Sequence, residues 1–268
     1  MADHKTRILS TRPLEAALLE QAAGRGIMID TLPFIVTEPI VDETLQSRIR
    51  ELSRRPLIAV FTSMNAVEAV AGHLGRQPAA GAASASKIAD SPVASAPFTL
   101  PWRIYSIGYA TQQLVRQHFG SACIAGTAAS AAALADTIIR QQAIAEVTFF
   151  CGDQRRDELP EKLQEQAIRV NEWVVYKTVR TPHKVKQVYD GIVFFSPSAV
   201  HSFFAENSIP AGTVLFAIGQ TTADTIRTYT PDNYTILSGS PEKEALIRQV
   251  IDYYNRAEPG CPEYINKP

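Results

Sequence analysis

The 268-residue sequence predicts an α/β protein built from two copies of one five-strand unit with parallel sheets, and three observations carry that prediction. Short β-rich runs alternate with helix-period segments along nearly the whole chain, the pattern of strands linked by crossover helices. Phe61–Val67 (FTSMNAV) and Phe194–Val200 (FFSPSAV) repeat one another: an aromatic strand end, a serine, one residue, a polar residue, then Ala-Val opening a helix. Ile107–Thr111 (IGYAT) and Ile218–Thr222 (IGQTT) form a second such pair.

Taken in order, the β-rich runs are Arg7–Ser10, Met28–Val36, Leu57–Thr62, Arg103–Ile107 and Ala122–Ala125 in the first part of the chain. Val147–Cys151, Val170–Tyr176, Gly191–Phe195, Val214–Ile218 and Tyr234–Leu237 follow, for ten expected strands. Each is short and rich in β-branched or aromatic residues. Helical periodicity fills most of the gaps, as at Leu14–Ala23, Ala66–Leu74, Thr111–His118, Glu158–Gln166 and Ala199–Glu206.

The first repeated pair is 133 residues apart and the second 111, a difference of 22. That difference matches Gln77–Thr99, an Ala/Ser/Pro-rich stretch without apolar periodicity, read as an inserted surface loop. A weaker third pair relates Ser10–Ile35 to Cys151–Tyr176. The strands therefore run as 1 and 2 of one unit, then 3, 4, 5, 1 and 2, then 3, 4 and 5. Either each half is a domain or the middle five strands form a domain inserted into the first. The second arrangement is favoured, because Thr37–Pro39 (TEP) and Thr178–Pro182 (TVRTP) look alike where an insertion would cross over. Proline near the end of an extended segment suits such a linker. The expected domains are residues 1–36 with 180–258, and residues 38–177, joined by a two-stranded linker, with 259–268 as a tail.

Composition narrows the function. Lys and Arg number 26 against 27 Asp and Glu, for a net charge of -1, which argues against a general nucleic-acid binder. Residues 1–13 contain no apolar core of a secretory signal, and the longest uncharged stretch, Phe119–Ala135, falls short of a membrane span. Cys123, Cys151 and Cys261 are odd in number and widely spaced, and the five histidines show no paired-ligand spacing. No disulfide scaffold, metal site, membrane anchor or cofactor is expected, and a reducing cytoplasm is the expected compartment.

ILSTRP at Ile8–Pro13, FTSMNAV, CGDQRRDELP at Cys151–Pro160, VVYKT at Val174–Thr178, FFSPSAV and AIGQTTA at Ala217–Ala223 together resemble the uroporphyrinogen-III synthase family. No single motif is specific; their order and spacing from Ile8 to about Tyr254 carry the likeness. The resemblance implies two α/β domains of flavodoxin-like topology joined by a two-stranded ladder, with the active site in the cleft between them. It implies closure of linear hydroxymethylbilane, delivered by hydroxymethylbilane synthase, to uroporphyrinogen III with ring D inverted, by a monomer needing neither cofactor nor metal.

That polycarboxylate substrate needs anion sites on a protein that is not basic. Thr11, Ser63, Thr111, Gly152, Ser196 and Thr222 each stand at a strand end or first helical turn. Free N–H groups and small hydroxyls there, helped by the helix dipole, can hold carboxylates. The plainer reading makes these residues helix N-caps only, and both roles can coexist. Arg12 and Arg156 can each fork onto a carboxylate, or form surface ion pairs. By resemblance, Ser63, Ser196, Ser198, Thr221 and Thr222 face the cleft, and Asn65 is a further candidate at a position where the family varies. Tyr176 matches the family's tyrosine that assists departure of the substrate hydroxyl; a phenol keeps its proton at neutral pH and can donate a hydrogen bond. The competing role for Tyr176 is packing at the hinge. His201 and Cys151 are read as structural. Two rival functions remain: a non-enzymatic two-domain module that closes on a small ligand, and a nucleotide-sugar glycosyltransferase, which would call for a longer chain and a Gly-rich phosphate loop.

Overall fold

Strands and helices alternate along most of residues 6–75, 100–141, 143–240 and 242–256, the residues that the computed structural model describes. The first stretch holds β1 (Thr6–Ser10), α1 (Ala16–Ala23), β2 (Ile27–Thr31), β3 (Ile35–Pro39), α2 (Glu43–Leu52), β4 (Leu57–Phe61) and α3 (Met64–His73). Next come β5 (Trp102–Ile107), α4 (Gly108–Phe119), β6 (Ile124–Ala128), α5 (Ala131–Ile139), β7 (Glu146–Gly152), α6 (Glu158–Gln164) and β8 (Arg169–Arg180). The last are β9 (Gly191–Phe194), α7 (Pro197–Phe204), β10 (Val214–Ala217), α8 (Gln220–Tyr229), β11 (Thr235–Leu237) and α9 (Lys243–Arg256). The Ala/Ser/Pro-rich stretch at 77–99 and the tail at 259–268 lie outside the described residues.

Two sequence expectations need correction. The single strand at 28–36 is two strands, β2 and β3, because Pro33 cannot donate to a ladder and Phe34 turns into the core against Phe203, ring centroids 5.2 Å apart. The strand expected at 122–125 starts at Ile124, since Ser121–Cys123 is a 3-10 turn. Cys123 is tied there through its thiol to the Phe119 and Leu100 carbonyls.

The chain divides into a discontinuous unit, residues 1–36 and 179–268, and a continuous one, residues 37–178, and it passes between them within β3 and β8. In the discontinuous unit the sheet order is β11-β10-β9-β1-β2, every pair parallel. Numbered by position in the unit this is 2-1-3-4-5, the flavodoxin-like order. The continuous unit has the order β3-β8-β7-β4-β5-β6, with parallel pairs from β8 to β6. Counting β7 as its first strand and β8 as its second reproduces 2-1-3-4-5 from a permuted starting point.

Both sheets are buried on both faces, which is why their strands read as near-continuous apolar runs. In the continuous unit Ala59, Phe61, Ile104 and Phe150 face one cluster, while Val60, Tyr105, Phe149 and Cys151 face the other. The discontinuous unit alternates in the same way, with Leu9, Ile192 and Phe194 on one side and Ile8, Val193 and Phe216 on the other. Helix starts are set locally: Ser63, Ser130 and Ser196 each accept the N–H three residues on, from Ala66, Ala133 and Ala199. Each such cap satisfies one otherwise orphaned donor.

Candidate active site

In the 2-1-3-4-5 order the connections leave the first and third strands in opposite directions, opening a crevice at their carboxyl ends where ligands collect. The continuous unit has that switch point between β7 and β4, the discontinuous one between β1 and β9.

At the first switch point β7 ends in Gly152 and β4 leads into Ser63. The ladder between β7 and β8 pairs Cys151 with Val174 but Gly152 with Tyr176, so Val175 is an extra residue in β8. Strict alternation would send Val175 and Tyr176 to opposite faces. The bulge instead puts both against the cluster containing Phe61 and Phe150. The Tyr176 ring then lies over Gly152, where an added Cβ would sit 2.4 Å from Cζ and 2.8 Å from the phenol oxygen. Ser63 Oγ donates to that oxygen at 3.1 Å and accepts the Ala66 N–H at 3.2 Å. Ser63 thereby ties the phenol to the first turn of α3. Asn65 is half-buried at the second position of α3, and Thr111 is buried in the first turn of α4. Arg156 is exposed in the loop after β7, beside Arg155, which pairs with Asp157 and Glu172.

At the second switch point Thr11 is 1% exposed, and its N–H and hydroxyl both donate to the Val193 carbonyl, at 3.1 and 2.8 Å. In this arrangement Thr11 joins β1 to β9 and has no hydrogen left for an anion. Arg12 is exposed, with its guanidinium carbon 5.4 Å from the Phe195 ring centroid, a distance at which a cation is held by the ring face. Ser10 fixes that turn by donating to the Arg12 carbonyl at 2.7 Å. Ser196 caps α7 and Ser198 is buried in its first turn. Thr221 is exposed at the start of α8, whereas Thr222 is 2% exposed beside it. The structure therefore brings Tyr176, Ser63 and Gly152 together, and sets Arg12 over the Phe195 ring. It turns Thr11, Thr111 and Thr222 inward.

Cys151 is no nucleophile: burial, then the nearby Glu172 charge, push its thiol up to about 11. His201 is hydrogen-bonded to the Tyr229 phenol at 2.7 Å. A cavity of about 110 Å³ near Val185, Tyr189 and Asn207 lies by the start of β9, away from the carboxyl ends, and Asn207 is already bonded to Val185, His183 and Phe203. Among the described residues no three His, Cys, Asp or Glu side chains gather around a common cation position, and no helix is long and apolar enough to cross a membrane. Two residues bearing on the site were not singled out from sequence. Phe195 carries the Arg12 guanidinium, and Asp153 is bonded to β8 on either side of Lys177; the signal for Asp153 was its place directly after Gly152 in CGDQRRDELP.

Residues 16–247 match the family model for uroporphyrinogen-III synthase HemD. A uroporphyrinogen-III synthase of Saccharomyces cerevisiae is 29% identical over 183 residues, covering 57% of this chain and 64% of that protein. The matched stretch thus spans just under two thirds of the yeast enzyme. Among solved structures, uroporphyrinogen-III synthetase from Helicobacter pylori is similar with a TM-score of 0.62 at 16% identity, covering 92% of this chain and 99% of that one. A mutant synthase from Thermus thermophilus gives 0.55 at 13% identity, covering 94% and 100%. At those identities the structural likeness establishes the two-unit α/β fold.

Proposed function

The chain belongs to the uroporphyrinogen-III synthase family, and from that membership we propose that it closes hydroxymethylbilane to uroporphyrinogen III. The substrate's terminal C–O bond breaks, and the hydroxyl departs as water with a proton donated to it, leaving a protonated azafulvene, the azafulvenium cation. The substituted α-carbon of ring D attacks that electrophile to form a spiro intermediate. Its fragmentation and reclosure reverse ring D, and loss of the α-proton restores the pyrrole. Uncatalysed closure joins the unsubstituted carbon instead, so the protein's task is to hold the other carbon in near-attack geometry.

The observation that supports a role in hydroxyl departure is the Tyr176 phenol, held by Ser63 at a switch point. A neutral phenol assists by donating a hydrogen bond rather than by full transfer. Arg12 and Arg156, with the capped helix starts at Ser63 and Ser196 and the nearby Asn65 and Thr221, are proposed to bind the substrate's carboxylates. The buried residues Thr11, Thr111, Gly152, Ser198 and Thr222 are proposed to shape these turns. We read the protein as a cytoplasmic monomer that takes its substrate from hydroxymethylbilane synthase; the thiols Cys123 and Cys151, which are not joined in a disulfide, suit a reducing compartment. The test is product analysis: incubation with freshly generated hydroxymethylbilane, oxidation, and separation of the isomers. Isomer III is expected, and isomer I alone at the spontaneous rate would overturn the proposal.

A further inference from the structure

We propose that Asp153 is a positioning residue for Tyr176, holding β8 in the register that keeps the phenol over Gly152 and against Ser63. The proposal rests on the synthase reading for its activity measurement and on hydrogen bonding for the rest. In a parallel ladder one residue donates its N–H to a neighbour's carbonyl and accepts, through its own carbonyl, from the N–H two residues further on. Asp153 keeps the first half of that pattern, donating its N–H to the Tyr176 carbonyl at 3.1 Å. For the second half it uses its side chain: Oδ1 accepts the Thr178 N–H at 2.9 Å.

The carboxylate therefore stands in for a backbone carbonyl at the last rung. The chain can turn away after β7 while β8 remains tied on both sides of Lys177. The tie comes directly after the Val175 bulge, where register is otherwise weakest. Arg155 fastens the same loop back to β8 by pairing with Glu172, so the loop and the strand move together. Loss of the rung frees Tyr176 to slide along β7 and breaks the geometry that Ser63 completes.

Three proteins separate this role from a catalytic charge: wild type, Asp153→Ala and Asp153→Asn. The asparagine keeps the Oδ1 acceptor and loses the charge. Asp153→Ala is expected to lower kcat about tenfold with KM little changed, and Asp153→Asn to stay within about threefold of wild type. Amide exchange of residues 174–178 is expected to quicken in Asp153→Ala and not in Asp153→Asn. Equal loss of kcat in both variants would assign the effect to charge and overturn the proposal, as would wild-type kcat in Asp153→Ala. Should wild type itself yield only isomer I, the synthase reading fails, and the exchange measurement alone decides whether Asp153 holds Tyr176. Unaltered exchange in Asp153→Ala would overturn it there too.

Discussion

Gly152→Ala is the sharpest single perturbation of the site. Gly152 does not have the positive φ found at Gly26, Gly75, Gly108 and Gly120, so alanine can adopt its backbone without strain. The added methyl would lie 2.4 Å from Tyr176 Cζ, where ordinary contact begins at 3.4 Å. The ring must retreat by roughly 1 Å, which stretches the 3.1 Å bond to Ser63 past hydrogen-bonding range. A shift of about 1 Å in a reacting group typically costs on the order of 10²-fold in rate. The loss is bounded by what the phenol contributes, at the lower end of the ~10²–10⁴-fold range for positioned acids. We therefore expect kcat to fall about tenfold to a hundredfold. Stability should barely respond: Tyr176 is half-buried and can swing outward. That keeps the overpacking cost near the low end of about 1–3 kcal/mol, partly offset by about 0.4–1 kcal/mol from a stiffer unfolded chain. The assay is single-turnover isomer III formation alongside a denaturant melt. In a Tyr176→Phe background the kcat effect of Gly152→Ala should largely vanish. Wild-type kcat in Gly152→Ala, or fully multiplicative losses in the double variant, would refute the reasoning.

Tyr176→Phe should lower kcat by about tenfold to a hundredfold while isomer III remains the product, because inversion is set by the fold of the bound substrate; isomer I as the new product would make the phenol a positioning group. Ser63→Ala and Ser196→Ala should each cost about 1 kcal/mol in a urea melt as lost helix caps. Only Ser63→Ala should also reduce kcat, with any effect of Ser196→Ala confined to KM. His73, 8% exposed at the end of α3, is held below its ordinary value of 6.5 by burial, which with the Arg50 charge outweighs the Ile40 carbonyl and the Asp42 charge. The unfolded chain then binds more protons than the native one as pH drops below about 6.5, so stability is lost from there down to the native pKa. His73→Gln should flatten that part of a plot of urea midpoint against pH; an unchanged slope would exclude His73 as its source.

The parts of the fold legible in the sequence were those written locally. A strand end followed by a capping serine recurs at Ser63 and Ser196, and aligning the two exposed the permuted unit. The second repeat shows where letters stop being sufficient. IGYAT and IGQTT both open helices, yet Gly108 has φ +74 and Gly219 has φ -165. The site itself is non-local. Tyr176 meets Ser63 across 113 residues, through a bulge placed by where β7 ends. The run Trp173-Val174-Val175-Tyr176 gives no sign of the bulge, since valine and tyrosine suit either face of a strand. Thr11 turned inward for a similar reason, its acceptor on Val193 lying 182 residues away.

The discontinuous unit has a consequence for how the chain is made. Its sheet places β1 between β2 and β9, with Leu9 opposite Ile192. During synthesis at about 5–20 residues per second, β1 and β2 leave the ribosome roughly ten to thirty seconds before β9. A two-strand pair is marginal by itself and presents open edges to any passing chain. Residues 37–178, by contrast, hold all of the second unit's sequence in one piece and can fold as they emerge. The nascent protein thus carries an unfinished sheet beside a finished one. Substitutions at 191–194 that slow the capture of β1 should show first as chaperone dependence and low yield, ahead of any change in melting temperature.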